Sequence, residues 1–290
     1  MKDFPIPVVP FGAGSHPAQD EEFHYLPMPG AEPLRTPIPP EDAAPSDIAA
    51  ASAVVEQLLE SMKRHRPGGP QPPRFSLKAM EPGALAALND SLGQGEVSAV
   101  VNGVGGTPAW KVQETAFAGV WRVRLEDARG ALVEDILEAA DVPAVVKDAA
   151  AKVRGARLDA ALLPPGVMNA PAIVNEIRHH VQRAKPGDPA HVVNLSLLPL
   201  APADHDGLAA VLGEGPVAIL SRGFGNCRIN ATCARGVWRV RYFNSMNTVI
   251  LDTIEVVDFP ESARAGGEDY DDSIERLHEL LRWLRESERR

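Results

Sequence analysis

Cysteine is almost missing: two residues in a chain of 290 cannot build a disulfide framework. No apolar run reaches the ~18 residues that span a bilayer, so membrane insertion is not expected. Positive charge is in deficit too. With 29 Lys and Arg against 39 Asp and Glu, the formal charge of −10 argues against nucleic acid, whose phosphates need clustered cations. An acidic surface instead favours basic partners and repels anionic membranes. The motifs G-x-S-x-G, Walker A, C-x-x-C and H-E-x-x-H are all missing. No nucleophile–base pair stands out either, so neither an enzyme nor a bound cofactor or metal is expected. The opening Met1-Lys2-Asp3-Phe4-Pro5-Ile6-Pro7 has an early acid and too little apolar length for a secretory signal, which points to the cytoplasm.

What is present is unevenly spread. Eleven of the 27 prolines fall within residues 1–48. Proline fixes φ and removes an amide donor, so residues 1–47 read as a largely extended arm. Phe4, Tyr25, Leu26 and Met28 give it apolar surface with which to dock on the body.

Beyond the arm the chain repeats itself. The first copy spans 48–145. Val54, Val55, Leu58, Leu59 and Met62 stand at helical spacing, Arg74-Phe75-Ser76-Leu77 reads as a strand, and Pro82 to Gly93 bracket a second helix. Four strand-like runs follow at 96–102, 109–117, 119–126 and 131–138. A linker, 146–168, leads to a second copy over 169–262. Its first helix carries Ile173, Val174, Ile177 and Val181, and Asn194-Leu195-Ser196-Leu197 aligns with Arg74-Phe75-Ser76-Leu77 at an offset of 120 (194 − 74). Later the offset becomes 117 (236 − 119), because the first copy carries three extra residues near Gly106-Thr107-Pro108. The fold class expected is α+β: two repeats of helix-strand-helix and antiparallel meander, with one sheet each, related by a pseudo-two-fold axis. Residues 263–290 add a C-terminal amphipathic helix, with Ala263–Glu268 a loop and Asp272 and Glu275 spaced as a capping box.

The densest chemistry lies at a hinge in the second copy, Gly223-Phe224-Gly225-Asn226-Cys227-Arg228. As a bare G-x-G before a strand it is a tight turn rather than a dinucleotide loop. Cys227 and Cys233, six residues apart, stand ~20 Å apart on one continuous strand and cannot bridge. Cys233 reads as a core thiol, whereas for Cys227, beside the hinge and Arg228, a core thiol and an accessible, reactive one both stay open. In the first copy Ala109, Trp110 and Lys111 replace Asn226, Cys227 and Arg228, so a site belongs to the second copy. In Val237-Trp238-Arg239-Val240-Arg241-Tyr242, Trp238, Val240 and Tyr242 take a core face, and Arg239 and Arg241 a solvated one. His179-His180 reads as a half-buried helix edge; His16, Asp20, Glu21, Glu22 and His24 could collect a metal, and a solvated flexible arm explains them as well. Gly223, Gly225, Asn226, Cys227, Arg228, Tyr242 and Asn244 are the candidate partner-binding residues.

Over its whole length the chain resembles the HupH/HyaF-type hydrogenase expression/formation proteins. The resemblance rests on Lys2-Asp3-Phe4-Pro5-Ile6-Pro7, Tyr25-Leu26-Pro27-Met28-Pro29, Val193-Asn194-Leu195-Ser196-Leu197-Leu198-Pro199-Leu200, Leu220-Ser221-Arg222-Gly223-Phe224-Gly225-Asn226-Cys227-Arg228-Ile229 and Tyr242-Phe243-Asn244-Ser245. Phe224 and Arg239 depart from the family pattern, which has Tyr and Trp there. The resemblance implies a non-enzymatic accessory chaperone for a membrane-bound uptake [NiFe] hydrogenase. Its partner would be the iron–sulphur small-subunit precursor before twin-arginine export, alongside a thioredoxin-fold chaperone. The other reading of the residues is a thiol-dependent redox or iron–sulphur cluster-handling protein, in which Cys227 works with a partner or dimer mate.

Overall fold

A computed structural model describes residues 35–38, 43–65, 67–69, 71–102, 109–153, 155–223 and 225–289. The first copy forms α1 (Pro45–Arg64), β1 (Arg74–Ser76), α2 (Pro82–Leu92), β2 (Val97–Val101), β3 (Ala109–Glu114), β4 (Val120–Glu126) and β5 (Leu132–Ala139). A helix not foreseen in the linker, α3 (Ala144–Ala151), comes next. The second copy forms α4 (Ala170–Val181), β6 (His191–Asn194), α5 (Pro202–Leu212), β7 (Val217–Ser221), β8 (Asn226–Ala231), β9 (Val237–Phe243) and β10 (Val249–Val256). Helix α6 (Gly267–Ser287) ends the chain.

Two separate sheets were expected; the described strands form one. Its order is β1-β5-β4-β3-β2-β7-β8-β9-β10-β6, with every pair antiparallel. The copies join where β2 meets β7, and Ala99 lies opposite Ile219. Both strands are apolar along their length, so each leaves an open edge that the other satisfies.

Helices α1, α2 and α6 bury Leu58, Leu88 and Leu277 against Val120 and Leu137. Helices α4 and α5 do the same for the second copy, with Ile177 and Leu208 against Val237 and Ile254. The opposite face is a single core crossing the junction, from Trp121 and Val123 through Ala99 and Ile219 to Trp238 and Val240, covered by Val146 of α3 and Phe259. Each tryptophan is tied at the same place: Trp121 Nε1 donates to Ala140 O (2.8 Å) and Trp238 Nε1 to Val257 O (3.2 Å).

The expected solvated face fails for Arg239, although Arg124 in the first copy is exposed. Arg239 holds Asp252 through Nε (3.1 Å) and Nη2 (2.7 Å), and both side chains are only 12% exposed. Arg122 holds Asp135 in the same way, at an offset of 117 for both residues (239 − 122, 252 − 135). The base rate for charged strand residues fails here because the aspartate comes diagonally from the next strand, beneath the helices.

The alignment of Asn194-Leu195-Ser196-Leu197 with a strand is two residues out. Ser76 lies opposite Ile136 and Asn194 opposite Thr253, so the true offset is 118 (194 − 76) and Leu195, not Leu197, matches buried Leu77. Leu195–Leu197 is a 3-10 turn. The capping box at Asp272 is also absent. Glu268 and Asp269 put acids into a first turn that starts at Gly267, and burial of Tyr270 keeps the helix on the core from there. The extra residues at Gly106–Pro108 and the cluster from His16 to His24 lie outside the described residues. Of the arm, Arg35–Ile38 docks as expected: Gln94 N donates to Arg35 O (2.7 Å) and Ile38 N to Asp90 O (2.9 Å). This approach needs Gly93, where a Cβ would lie 2.4 Å from Arg35 O.

The second copy adds one anchor. Asp204 Oδ1 accepts the N–H groups of Met168 (2.8 Å), Asn169 (2.8 Å) and Ala170 (2.9 Å), fixing the start of α4. These bonds, Ala170's foremost, hold the carboxyl down at about 2, against an ordinary 3.8. Its stabilisation is therefore present above 3.8 and lost as pH falls toward 2. Thermal melts of Asp204→Asn should show a deficit at pH 7 that shrinks below about pH 3; a deficit independent of pH would remove the charge from the explanation. For the inner ion pair, Asp252→Asn should cost about 3 kcal/mol in urea unfolding. Joint replacement of Arg239 by Met and Asp252 by Leu should cost less than either single change, and additive losses would show that the two do not act as a pair.

Candidate functional site

The hinge joins β7 to β8. Gly223 and Gly225 form a lone bridge across it, and Phe224 lies outside the described residues. Gly225 has φ +93°, a conformation that glycine alone takes without strain. At Gly223 a Cβ would sit 2.2 Å from Glu96 Oε2, the end of an exposed side chain that would have to swing aside.

Past the hinge, alternation along β8 separates the predicted residues onto two faces. Cys227 lies opposite Tyr242 on β9 and belongs to the core that crosses the junction. It is 2% exposed, a core thiol, whereas Cys233, expected in the core, is half-buried and donates to Glu214 O at 2.9 Å. Strand β8 ends at Ala231, so Cys233 turns off before its alternation would carry it into the core. Burial pushes the Cys227 thiol up to about 11, against hydrogen bonds with Tyr242 and Ser262. Burial also raises the Tyr242 hydroxyl. At neutral pH this is an inert thiol, not a nucleophile.

Arg228 faces the other way. Its guanidinium lies 4.3 Å above the Phe243 ring and donates to Asn247 Oδ1 at 3.2 Å. Asn244 shapes the β9–β10 turn, accepting from Met246 N and Thr248 N at 2.9 Å each. Asn226 is exposed at the start of β8. Thus Gly223, Cys227 and Tyr242 share one site, whereas Arg228 and Asn244 belong to a hairpin tip across the sheet.

The shared site is a cleft of about 640 Å³ between the hinge, the start of β2 and the first turns of α6. The sequence reading missed most of its polar wall: Glu96, Glu114, Ser262, Asp269 and Ser273. Glu114 is 8% exposed and accepts the Gly119 N–H at 3.3 Å through Oε1. Burial, with repulsion from Glu96 and Asp269 added, pushes its carboxyl up to about 7. Its partner position in the second copy is Ala231 (231 − 114 = 117), so the fold does not require a carboxyl there. That contrast between copies was the available signal. Elsewhere, His180 stacks on His191 with centroids 3.4 Å apart, and His191 Nε2 meets Glu176 Oε1 at 2.8 Å. Among the described residues, no group of three His, Cys, Asp or Glu is placed to hold a metal.

Comparison with known proteins fits this two-copy body. The family described as "HupH hydrogenase expression protein, C-terminal conserved region" matches twice, at residues 48–161 and 167–284. "Hydrogenase expression/formation protein HoxQ" of Cupriavidus necator is 43% identical over 98% of this chain and 99% of its own. "Hydrogenase expression/formation protein HupH" of Rhodobacter capsulatus is 39% identical over 98% of this chain and 100% of its own. "Hydrogenase-1 operon protein HyaF" of Escherichia coli is 33% identical over 95% and 96%.

Because Glu114 binds its proton more tightly folded than unfolded, its burial destabilises the fold increasingly as pH rises from 4.5 through about 7. Glu114→Ala should raise the melting temperature at pH 8 and change it little at pH 5; a constant difference would refute the buried, proton-holding carboxyl. With a thiol reagent in native buffer, Cys233 should be modified first and Cys227 only on unfolding. Fast reaction at Cys227 would contradict its enclosure.

Proposed function

The chain belongs to the HupH hydrogenase expression/formation family, and from this premise we propose that it is a non-enzymatic accessory protein in hydrogenase maturation. In this reading it works in the cytoplasm and binds the iron–sulphur small-subunit precursor of an uptake [NiFe] hydrogenase before twin-arginine export. A thioredoxin-fold chaperone is its companion. The observation that carries the reading is the cleft at Gly223, Cys227 and Tyr242. It brings together hinge backbone, an aromatic hydroxyl and several carboxylates, beside a Cys227 thiol that burial keeps protonated.

The residues on its wall suit recognition. A rim of carboxylates on a chain of charge −10 attracts a basic segment, and an aromatic hydroxyl provides both contact area and a hydrogen bond. Arg228 and Asn244, on the far face, enter this reading as a second contact at the β9–β10 tip. We further propose that the repeats are related by a pseudo-two-fold axis through the β2–β7 junction. The mirrored strand order and the matched Arg–Asp pairs support that relation. The thiol and cluster-handling reading gains no support from a buried, protonated Cys227.

The test is equilibrium binding of the full chain to the small-subunit precursor, with and without its signal peptide, over a salt series. The expected result is 1:1 binding that weakens with salt. Tyr242→Ala together with Asn226→Ala should weaken it at least about tenfold while the protein stays folded. A soluble, folded precursor that does not bind, or full binding by the folded double variant, would overturn the assignment.

A further inference from the structure

We propose that the cleft is a seat for one cationic side chain of a protein partner, a guanidinium or ammonium group that lies on Glu96 and Glu114 and displaces the Glu114 proton. The inference deepens the partner-binding reading above and rests on it only in taking the cation from a protein. Position 114 holds Glu in the first copy and Ala in the second, although Thr115 and Thr232, the residues that follow, make the same turn with Phe117 and Ala234. A carboxyl 8% exposed is costly to keep unless something repays it. Among the described residues no Lys or Arg forms an ion pair with Glu114 or Glu96.

A second observation points to a ligand independently of the carboxylates. Ser273, on the α6 wall of the same cleft, has no exposed side-chain surface, and its Oγ has no hydrogen-bond partner. Buried hydroxyls are normally paired, so this one is poised for a donor or acceptor brought in from outside. The hinge supplies the third element. Glycine at 223 lets the Glu96 carboxylate lie over the backbone; a Cβ there would stand 2.2 Å from Oε2 and turn this exposed side chain aside.

The charged groups around Glu114 set the sign. Glu96 precedes β2, Asp269 and Asp272 come from α6, and Glu261 from the turn before it. Of the cations on the wall, Arg264 pairs with Asp141 (3.1 Å), while Arg276 pairs with the cleft's own Asp272 (3.8 Å) and lies over Phe117 (5.0 Å). Arg35 completes the rim from the docked arm segment. Asp272 is therefore already paired, and the acidic centre is Glu96, Glu114 and Asp269, none of which forms an ion pair with a Lys or Arg among the described residues. Binding is a simple exchange: Glu114–COOH plus the cation gives the carboxylate–cation pair and one proton to buffer. Because Glu114 holds its proton up to about 7, affinity rises with pH to that point and then levels.

Calorimetry tests it. The full chain is titrated with acetyl-Gly-Arg-Gly-amide, and separately with the same peptide carrying citrulline, in buffers of different ionisation enthalpy. At pH 6 the arginine peptide should bind and release roughly 0.9 proton, falling to roughly 0.1 at pH 8. Citrulline should not bind, and Glu114→Ala should abolish proton release and weaken binding about tenfold or more. Alanine already stands at the matching position of the second copy, so this variant is expected to fold; Glu114→Gln is the second check. Failure to bind at millimolar peptide, equal binding of citrulline, or proton release that survives Glu114→Ala would overturn the proposal. Precursor binding separates the two readings. If the precursor binds wild type and Glu114→Ala alike, the cation seat fails and the accessory role stands. If the peptide releases its proton but the precursor never binds, the reverse holds.

Discussion

The body depends on one pairing, β2 against β7. Five residues of each strand meet across it, from Val97 opposite Ser221 to Val101 opposite Val217. Two five-stranded halves would otherwise each expose an apolar inner edge, an open template for association. Joined, they allow one continuous core to run from Trp121 to Trp238 beneath the sheet, while separate helix layers close the opposite face over each half. The hinge after β7 and the glycine-led start of β2 then lie side by side. That is why Gly223 touches Glu96, and why a cleft forms there and not at the outer strands.

Charge is handled differently in the two places where it is buried. Under the helices, Arg122 with Asp135 and Arg239 with Asp252 neutralise one another in both copies, and so belong to the scaffold. At the cleft, Glu114 has no such partner and no equivalent in the second copy. A protein that conserves fold energy would place alanine there, as it does at Ala231. The two copies thus share the fold around this position and differ in its chemistry.

Much of the fold was legible because local signals agreed with one another. Pro82 and Gly93 mark the ends of α2, and period-two alternation marks β9, with Trp238 and Val240 inward as expected. Where the reading slipped, tertiary structure overruled a local match. Ser76-Leu77 and Ser196-Leu197 look alike, yet the sheet sets Leu77 beside Leu195, because burial against the helices fixes the register. Helix α3 escaped notice as an alanine-rich stretch with a short apolar stripe, Val146 and Ala150. The hinge drew attention correctly, but its neighbours Glu96, Glu114, Ser262 and Ser273 converge from four distant segments, which no spacing rule connects. Cys233 was misjudged because the alternation of β8 was carried past Ala231, where the strand ends.

One other surface competes for a partner. At the second copy's outer end Leu197 and Met246 are each 80% exposed and Ile250 62%. Hydrogen–deuterium exchange of the chain, free and bound to the small-subunit precursor, tells the two apart. Binding at the cleft predicts new protection in 94–97, 221–228, 240–244 and the first three turns of α6. Protection confined to 192–198 and 246–251, with the cleft segments unchanged, would contradict it.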